Sequence, residues 1–261
     1  STDTVRGQFS IVNPNFKYSD KSLFTNVQSQ STDKLSTNGY KSTKTGFSLG
    51  TKFEQYENLY FNPSMNIYYE TLDTNTGATA ALKKQEGGNF DTSFKYSLDY
   101  DLRNQRYMTS DGTRSKFSQS IPLVSDVYTL GNTYEIGFWN KLPNDMITNI
   151  SFYASAVTSL ADEDVRISDR LRLGQKRLKG FESGKTGPVD NGDYVGGNFA
   201  SSVNLSTTLP MFFQSLDTAD VSYFVDMANI WGVDYSNKVG DSSHIRSSTG
   251  IAIDWFTPIG P

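Results

Sequence analysis

The sequence predicts an all-β protein, a transmembrane antiparallel β-barrel. Three observations carry that expectation: apolar residues alternate with polar ones over unusually long stretches, the composition is polar yet rich in aromatics, and one glycine-rich segment is too long for a hairpin turn. The clearest alternation places Phe90, Thr92, Phe94, Tyr96, Leu98, Tyr100 and Leu102 on one face. Asp91, Ser93, Lys95, Ser97, Asp99, Asp101 and Arg103 fall on the other. Side chains of a strand alternate sides and each residue advances it by about 3.3 Å, so this segment can cross a bilayer at a tilt. Strands of soluble sandwiches are usually about 5–6 residues long. The length, and a face this densely charged, point to a barrel with a wet lumen.

The composition agrees. The chain of 261 residues has no cysteine, one histidine, 15 Tyr and 17 Phe, and a formal net charge of -4. Hydrophobic residues are 36%, and no run approaches the roughly 18 consecutive apolar residues of a membrane helix. Only alternate residues of a membrane barrel touch lipid, which reconciles a polar total with abundant aromatics. A soluble β-sandwich shares such totals, and strand length is what separates the two. Without cysteine there is no disulfide framework, thiolate metal site or thiol nucleophile. No basic cluster argues for nucleic acid. Residues 1–9 contain no apolar core of a signal peptide, so an exported form is expected to be mature or trimmed.

Taken in order, the dyad pattern marks strands at 9–13, 45–53, 61–69, 90–103, 114–123, 134–139, 149–157, 199–209, 221–228 and 245–256. In 221–228, Val221, Tyr223, Val225 and Met227 form the apolar face, which leaves Phe224 and Asp226 facing the lumen. Polar connections fall at 33–39, 71–88, 110–112, 143–145, 161–164 and 236–243. The spacing suggests about 12 strands in one domain covering 1–261, with no helical period anywhere. Residues 174–197, GQKRLKGFESGKTGPVDNGDYVGG, break the meander. Structureless loops beyond about 12–15 residues are usually functional or disordered.

That segment carries a resemblance. Leu178-Lys179-Gly180-Phe181, then Gly187-Pro188, then Gly196-Gly197-Asn198 resembles the long sixth extracellular loop of the BamA family, with its (V/L)RGF core, GP pair and GGN strand opening. Asn13-Pro14-Asn15-Phe16 is similar to the family's NPYF-type strand end, and Asp111-Gly112-Thr113-Arg114 to its (T/S)DG(S/T)R hairpin. Trp255-Phe256-Thr257-Pro258-Ile259-Gly260-Pro261 is similar to its W-x-SP-x-GP stretch. The family shares a superfamily with the mitochondrial sorting and assembly barrel protein. By this register the chain covers about the third to the fourteenth of some sixteen strands, without the periplasmic POTRA domains or the outermost strands.

The resemblance implies that the loop folds into the lumen and that Lys179, in the place of the family's arginine, packs against Asp226 beside Phe224. Lysine is a point charge and cannot make the bidentate fork of arginine, so a looser hold, or a share taken by Arg177, is expected. Gly180 and Gly187 are expected to supply the backbone freedom of the fold-back. The implied function is a core subunit of the barrel assembly machinery in a Gram-negative outer membrane, inserting unfolded outer-membrane proteins by lateral opening and strand addition. Its implied partners are those substrates, the lipid bilayer, and accessory lipoproteins held mainly through POTRA domains. No cofactor, metal or enzymatic activity is expected. A passive porin, and a two-partner-secretion or translocation pore of the same superfamily, are the competing readings. His244 stands beside Asp241, Ser242 and Ser243 on a connection, without the rigid support a nucleophile and base need. Asp162-Glu163-Asp164 and residues 190–193 match no calcium-loop spacing, and Gly196-Gly197 lacks the strand-to-helix setting of a phosphate loop.

Overall fold

A computed structural model describes residues 4–209, 219–235, 239 and 244–255. Eleven strands form one antiparallel sheet in which sequence neighbours pair throughout. They are β1 (Thr4–Asn13), β2 (Ser22–Lys34), β3 (Tyr40–Tyr56), β4 (Leu59–Thr74), β5 (Gly87–Asp101), β6 (Gly112–Ser125), β7 (Thr129–Lys141), β8 (Ile147–Ser159), β11 (Phe199–Thr208), β12 (Ala219–Trp231) and β13 (Arg246–Trp255). Between β8 and β11 lies a small separate hairpin, β9 (Val189–Asp190) and β10 (Asp193–Tyr194). Its two-residue turn, Asn191-Gly192, has positive φ at both positions, as a type I′ turn requires. A short helix, α1 (Ala80–Lys84), lies between β4 and β5, its amino end capped by Thr79 Oγ1 accepting from the Leu82 N–H at 3.4 Å.

The expected barrel architecture is present, with eleven strands in the main sheet rather than about twelve. The strand missing from the sequence reading is β2, SLFTNVQSQSTDK. Its hydroxyl and amide residues occupy both faces, so little hydropathy alternation betrays it, and its ladders to β1 and β3 hold it in the sheet. Residues 71–88, expected as a plain connection, extend β4 to Thr74 and hold α1. Of the expected connection 236–243 only residue 239 is described, and 256–261 of the WFTPIGP stretch lie outside the described residues.

The faces are those of a membrane barrel. On β4, Met65, Ile67 and Tyr69 are exposed while Asn66, Tyr68 and Glu70 are buried. The same inversion runs through β5, where Phe90, Leu98 and Tyr100 are exposed and Ser93, Ser97 and Asp99 are buried. A polar interior behind an apolar exterior is stable when the outer surface faces lipid. No helix among the described residues is long and apolar enough to cross a membrane. The β5–β6 ladder shifts register between Thr92 and Ser93, and Pro122 stands at that irregularity, where a missing backbone donor is tolerated.

The short connections 57–58 and 142–146 lie at one end of the barrel, and the long ones 75–86 and 160–198 lie at the other. At the two ends of the strand order, β1 and β13 each have a single ladder partner.

Candidate functional site

Residues 160–198 leave the end of β8 and return at β11 after entering the lumen. The loop's fold begins with an apolar peg. Leu178 is buried with Leu173 and with Ala200 of β11 and Ala228 and Ile230 of β12, and Phe181, Leu171 and Tyr153 pack around them. Small residues on the strands leave the space that the leucine fills. Gly180 and Gly187 have φ of 81° and 96°, a region that favours glycine. At Gly187 there is a second reason: a Cβ there would stand 2.4 Å from Ile230 Cγ2. Pro188, next to it, is fully buried.

The peg sets Lys179 against Asp226. The Lys179 backbone N–H donates to Asp226 Oδ2 at 3.0 Å and its Nζ donates to the same oxygen at 3.3 Å. The Asp226 carboxylate is fully buried, and Asn204 Nδ2 of β11 donates to its other oxygen at 2.8 Å. Lys179 Nζ also lies 4.8 Å from the centre of the Phe224 ring. Both strand residues face the lumen, as the alternation predicted, and the three come together as the resemblance implied. The weaker reach of lysine is offset locally, because the buried carboxylate is satisfied by a backbone N–H and an asparagine as well.

Arg177 does not share Asp226. Its guanidinium donates to Glu135 of β7 at 2.6 Å and lies 4.2 Å from the Tyr153 ring centre, while its carbonyl accepts from Asn204 Nδ2 at 2.8 Å. The strand opening closes the loop: Gly197 and Leu171 exchange backbone hydrogen bonds at 3.0 and 2.8 Å, and Asn198 Oδ1 accepts from Arg170 Nη1 at 3.1 Å. Gly196 turns the chain there at φ of 77°.

Sequence reasoning missed the other half of the site, the limb of the loop before residue 174. Arg166 donates through Nε to the buried Glu70 of β4 at 2.7 Å, and Asp169 pairs with Lys44 of β3 at 2.7 Å. Arg170 pairs with Asp234 beyond β12, and Asp193 takes Lys34 at 2.7 Å and the Tyr40 hydroxyl at 3.1 Å. Ile167 and Val195 pack with Tyr40, Leu72, Ala78 and Leu82. The run of arginines at 166, 170 and 172 was the available signal. Burial alone would raise the Asp234 carboxyl, but the Val165 N–H and the Arg170 guanidinium outweigh it and hold it below the ordinary range. Burial, aided by Asp190 and opposed by Arg170, pushes the Tyr235 phenol up to about 12.

Among the described residues no group of three or more His, Cys, Asp or Glu side chains is placed to hold a metal ion. His244, Asp162 and Glu163 are exposed and Asp164 is half-buried, and 241–243 lie outside the described residues. The arrangement is a plug: a loop fixed inside a polar lumen by buried charge pairs.

The comparisons with known proteins concur. The chain is 27% identical over 180 residues to the sorting and assembly machinery component 50 homolog of Bos taurus, a match covering 65% of this chain and 37% of that protein. It is 22% identical over 227 residues to the outer membrane protein assembly factor BamA of Neorickettsia risticii (strain Illinois), covering 85% of this chain and 30% of that protein. The chain thus spans about a third of these relatives' length, 37% of one and 30% of the other. Among solved structures, BamA from Haemophilus ducreyi lacking POTRA domains 1–3 superposes with a TM-score of 0.83 at 22% identity, over 100% of this chain and 57% of that one. CdiB from Acinetobacter baumannii superposes with a TM-score of 0.54 at 10% identity, over 98% of this chain and 51% of that one. The model of the Omp85 superfamily domain matches residues 1–261, and the chain therefore belongs to the Omp85 superfamily, as a homologue of both BamA and the sorting and assembly component 50.

Proposed function

We propose that the chain is the barrel of an outer-membrane assembly factor, which inserts unfolded β-barrel proteins by lateral opening and strand addition. The observation that carries this reading is the loop fixed in the lumen through Lys179 and Asp226. A plugged lumen is poorly suited to passive diffusion and leaves the wall of the barrel as the working surface. Strand addition is physically apt there, because an incoming strand satisfies its backbone groups on a sheet edge where lipid offers no partner. In this reading the driving free energy is the substrate's own folding. No cofactor or covalent step is involved, and accessory lipoproteins bind mainly through POTRA domains outside this chain. This reading places the barrel in a bacterial outer membrane, in line with the Neorickettsia relative matched over 85% of the chain at 22% identity; the Bos taurus relative is matched over 65% at 27%.

The test is assembly of an unfolded outer-membrane protein by the intact protein in liposomes. Lys179→Ala and Asp226→Ala should each slow it, with a coupling of about 0.5–3 kcal/mol in the double-mutant cycle, the range of residues in contact. Strictly additive effects remove the latch from the mechanism. Large, steady pore conductance with no assembly favours the porin reading instead.

A further inference from the structure

A chord of the barrel runs through five residues of the loop. Glu70 of β4 accepts from Ser42 of β3 at 2.6 Å, from Arg166 at 2.7 Å and from Ser168 at 2.8 Å, and both it and Arg166 are buried. Asp169, one residue on, holds Lys44 of β3. The chain then changes walls. Arg170 donates to Asn198, which precedes β11, and pairs with Asp234, which follows β12. From β4 to β12 the sheet order runs through six ladders, about 29 Å along the wall at the usual strand spacing. From Arg166 to Arg170 the chain makes a turn, its Asp169 and Arg170 N–H groups donating to the Arg166 carbonyl at 2.9 and 3.2 Å, so this short segment and its side chains bridge the two walls. The ladders alone leave the curl of a sheet soft, whereas this segment ties two separated strands of the wall together across the lumen.

We propose that residues 165–170 are a strut that sets the curvature of the sheet, with Glu70 and Lys44 as its far anchors and Asp234 as its near one. Glu70 is then a positioning residue. By holding β4 toward β12 it governs how far the wall between these two strands curls around the lumen. The strut is separate from the Lys179–Asp226 latch, whose own hydrogen bonds reach β12 and, through Asn204, β11. Its consequence for substrate entry rests on the assembly reading above; the strut itself does not.

The experiment measures the cross-lumen distance. The chain has no cysteine. Ile67→Cys on β4 and Met227→Cys on β12, both outward-facing and exposed, therefore place two spin labels in the intact protein in detergent. Glu70→Gln, which keeps the shape and removes the charge, should move the distance distribution outward and broaden it. Lys44→Gln should move it less in the same direction, and Lys179→Ala should leave it in place. Should Glu70→Gln fail to fold, Asp169→Asn breaks the strut's pairing with its other far anchor, Lys44, and is expected to shift the distribution as Lys44→Gln does. An unchanged distribution in the far-anchor variants, or an equal shift in Lys179→Ala, overturns the strut. Assembly is not part of the readout, so a failure here and a failure of the assembly reading are told apart.

Discussion

Asp226 accepts three hydrogen bonds, two from Lys179 and one from Asn204, and they are not lost together. Lys179→Ala keeps the backbone N–H bond and gives up only a partly exposed ammonium, so its cost to stability is expected near the net value of one charged hydrogen bond, about 1.5–3 kcal/mol or less. Asp226→Ala takes the acceptor from all three donor groups and is expected to cost more, about 3–5 kcal/mol as for a broken buried pair. Denaturation followed by the heat-dependent gel shift of the barrel ranks the two, and equal costs would mean that the backbone bond contributes nothing. Asp234 and Tyr235 make the near end of the strut sensitive to extremes of pH. The Asp234 carboxyl is held low, so its contribution is present above the ordinary carboxylate range and is lost as pH falls through its folded value. The Tyr235 phenol is raised, so its contribution is complete below about 10 and disappears as pH climbs through about 12. Tyr235→Phe should flatten the alkaline side of a thermal-midpoint profile. Lys179, Phe224 and Asp226 could be named from the sequence because the family resemblance pointed to all three, and strand alternation independently set Phe224 and Asp226 on the lumenal face. Glu70 could not, since it is one polar residue in an alternating strand and Arg166 lies 96 positions away.

At the scale of elements, the loop depends on backbone shapes that few side chains permit. Gly187→Ala would bring a Cβ against Ile230 at a position with positive φ, combining overpacking with strain. The expected cost is about 1–3 kcal/mol. Because the ladders of β11 and β12 do not involve Gly187, the loss should appear as faster proteolysis of the loop with the barrel intact. If the whole barrel unfolds instead, the loop and the wall are one cooperative unit. Strands with a strong dyad contrast, β5 above all, were legible in the sequence. The weakly contrasted β2 was not, because its identity as a strand comes from its two neighbours.

For the whole molecule, the governing fact is the inversion of inside and outside. Ile67→Arg places a charge on the exposed face of β4 and should cost about 2–4 kcal/mol if that position lies near the bilayer midplane. A folding titration in lipid vesicles measures it, and the same substitution tested in detergent alone should cost less. An equal cost in both media would mean that this face does not meet the hydrocarbon.

The fold class, the facing of most strands and the family loop were determined by the sequence itself, because alternation with period two and a compact motif are local properties. The tertiary structure alone decided that the loop touches both walls. Glu70 and Arg166, Lys44 and Asp169, and Arg170 and Asp234 are far apart in the chain. Their pairing goes together with the sheet's curl, in which β4 comes toward β12 across the lumen, and no local pattern of residues encodes that closeness.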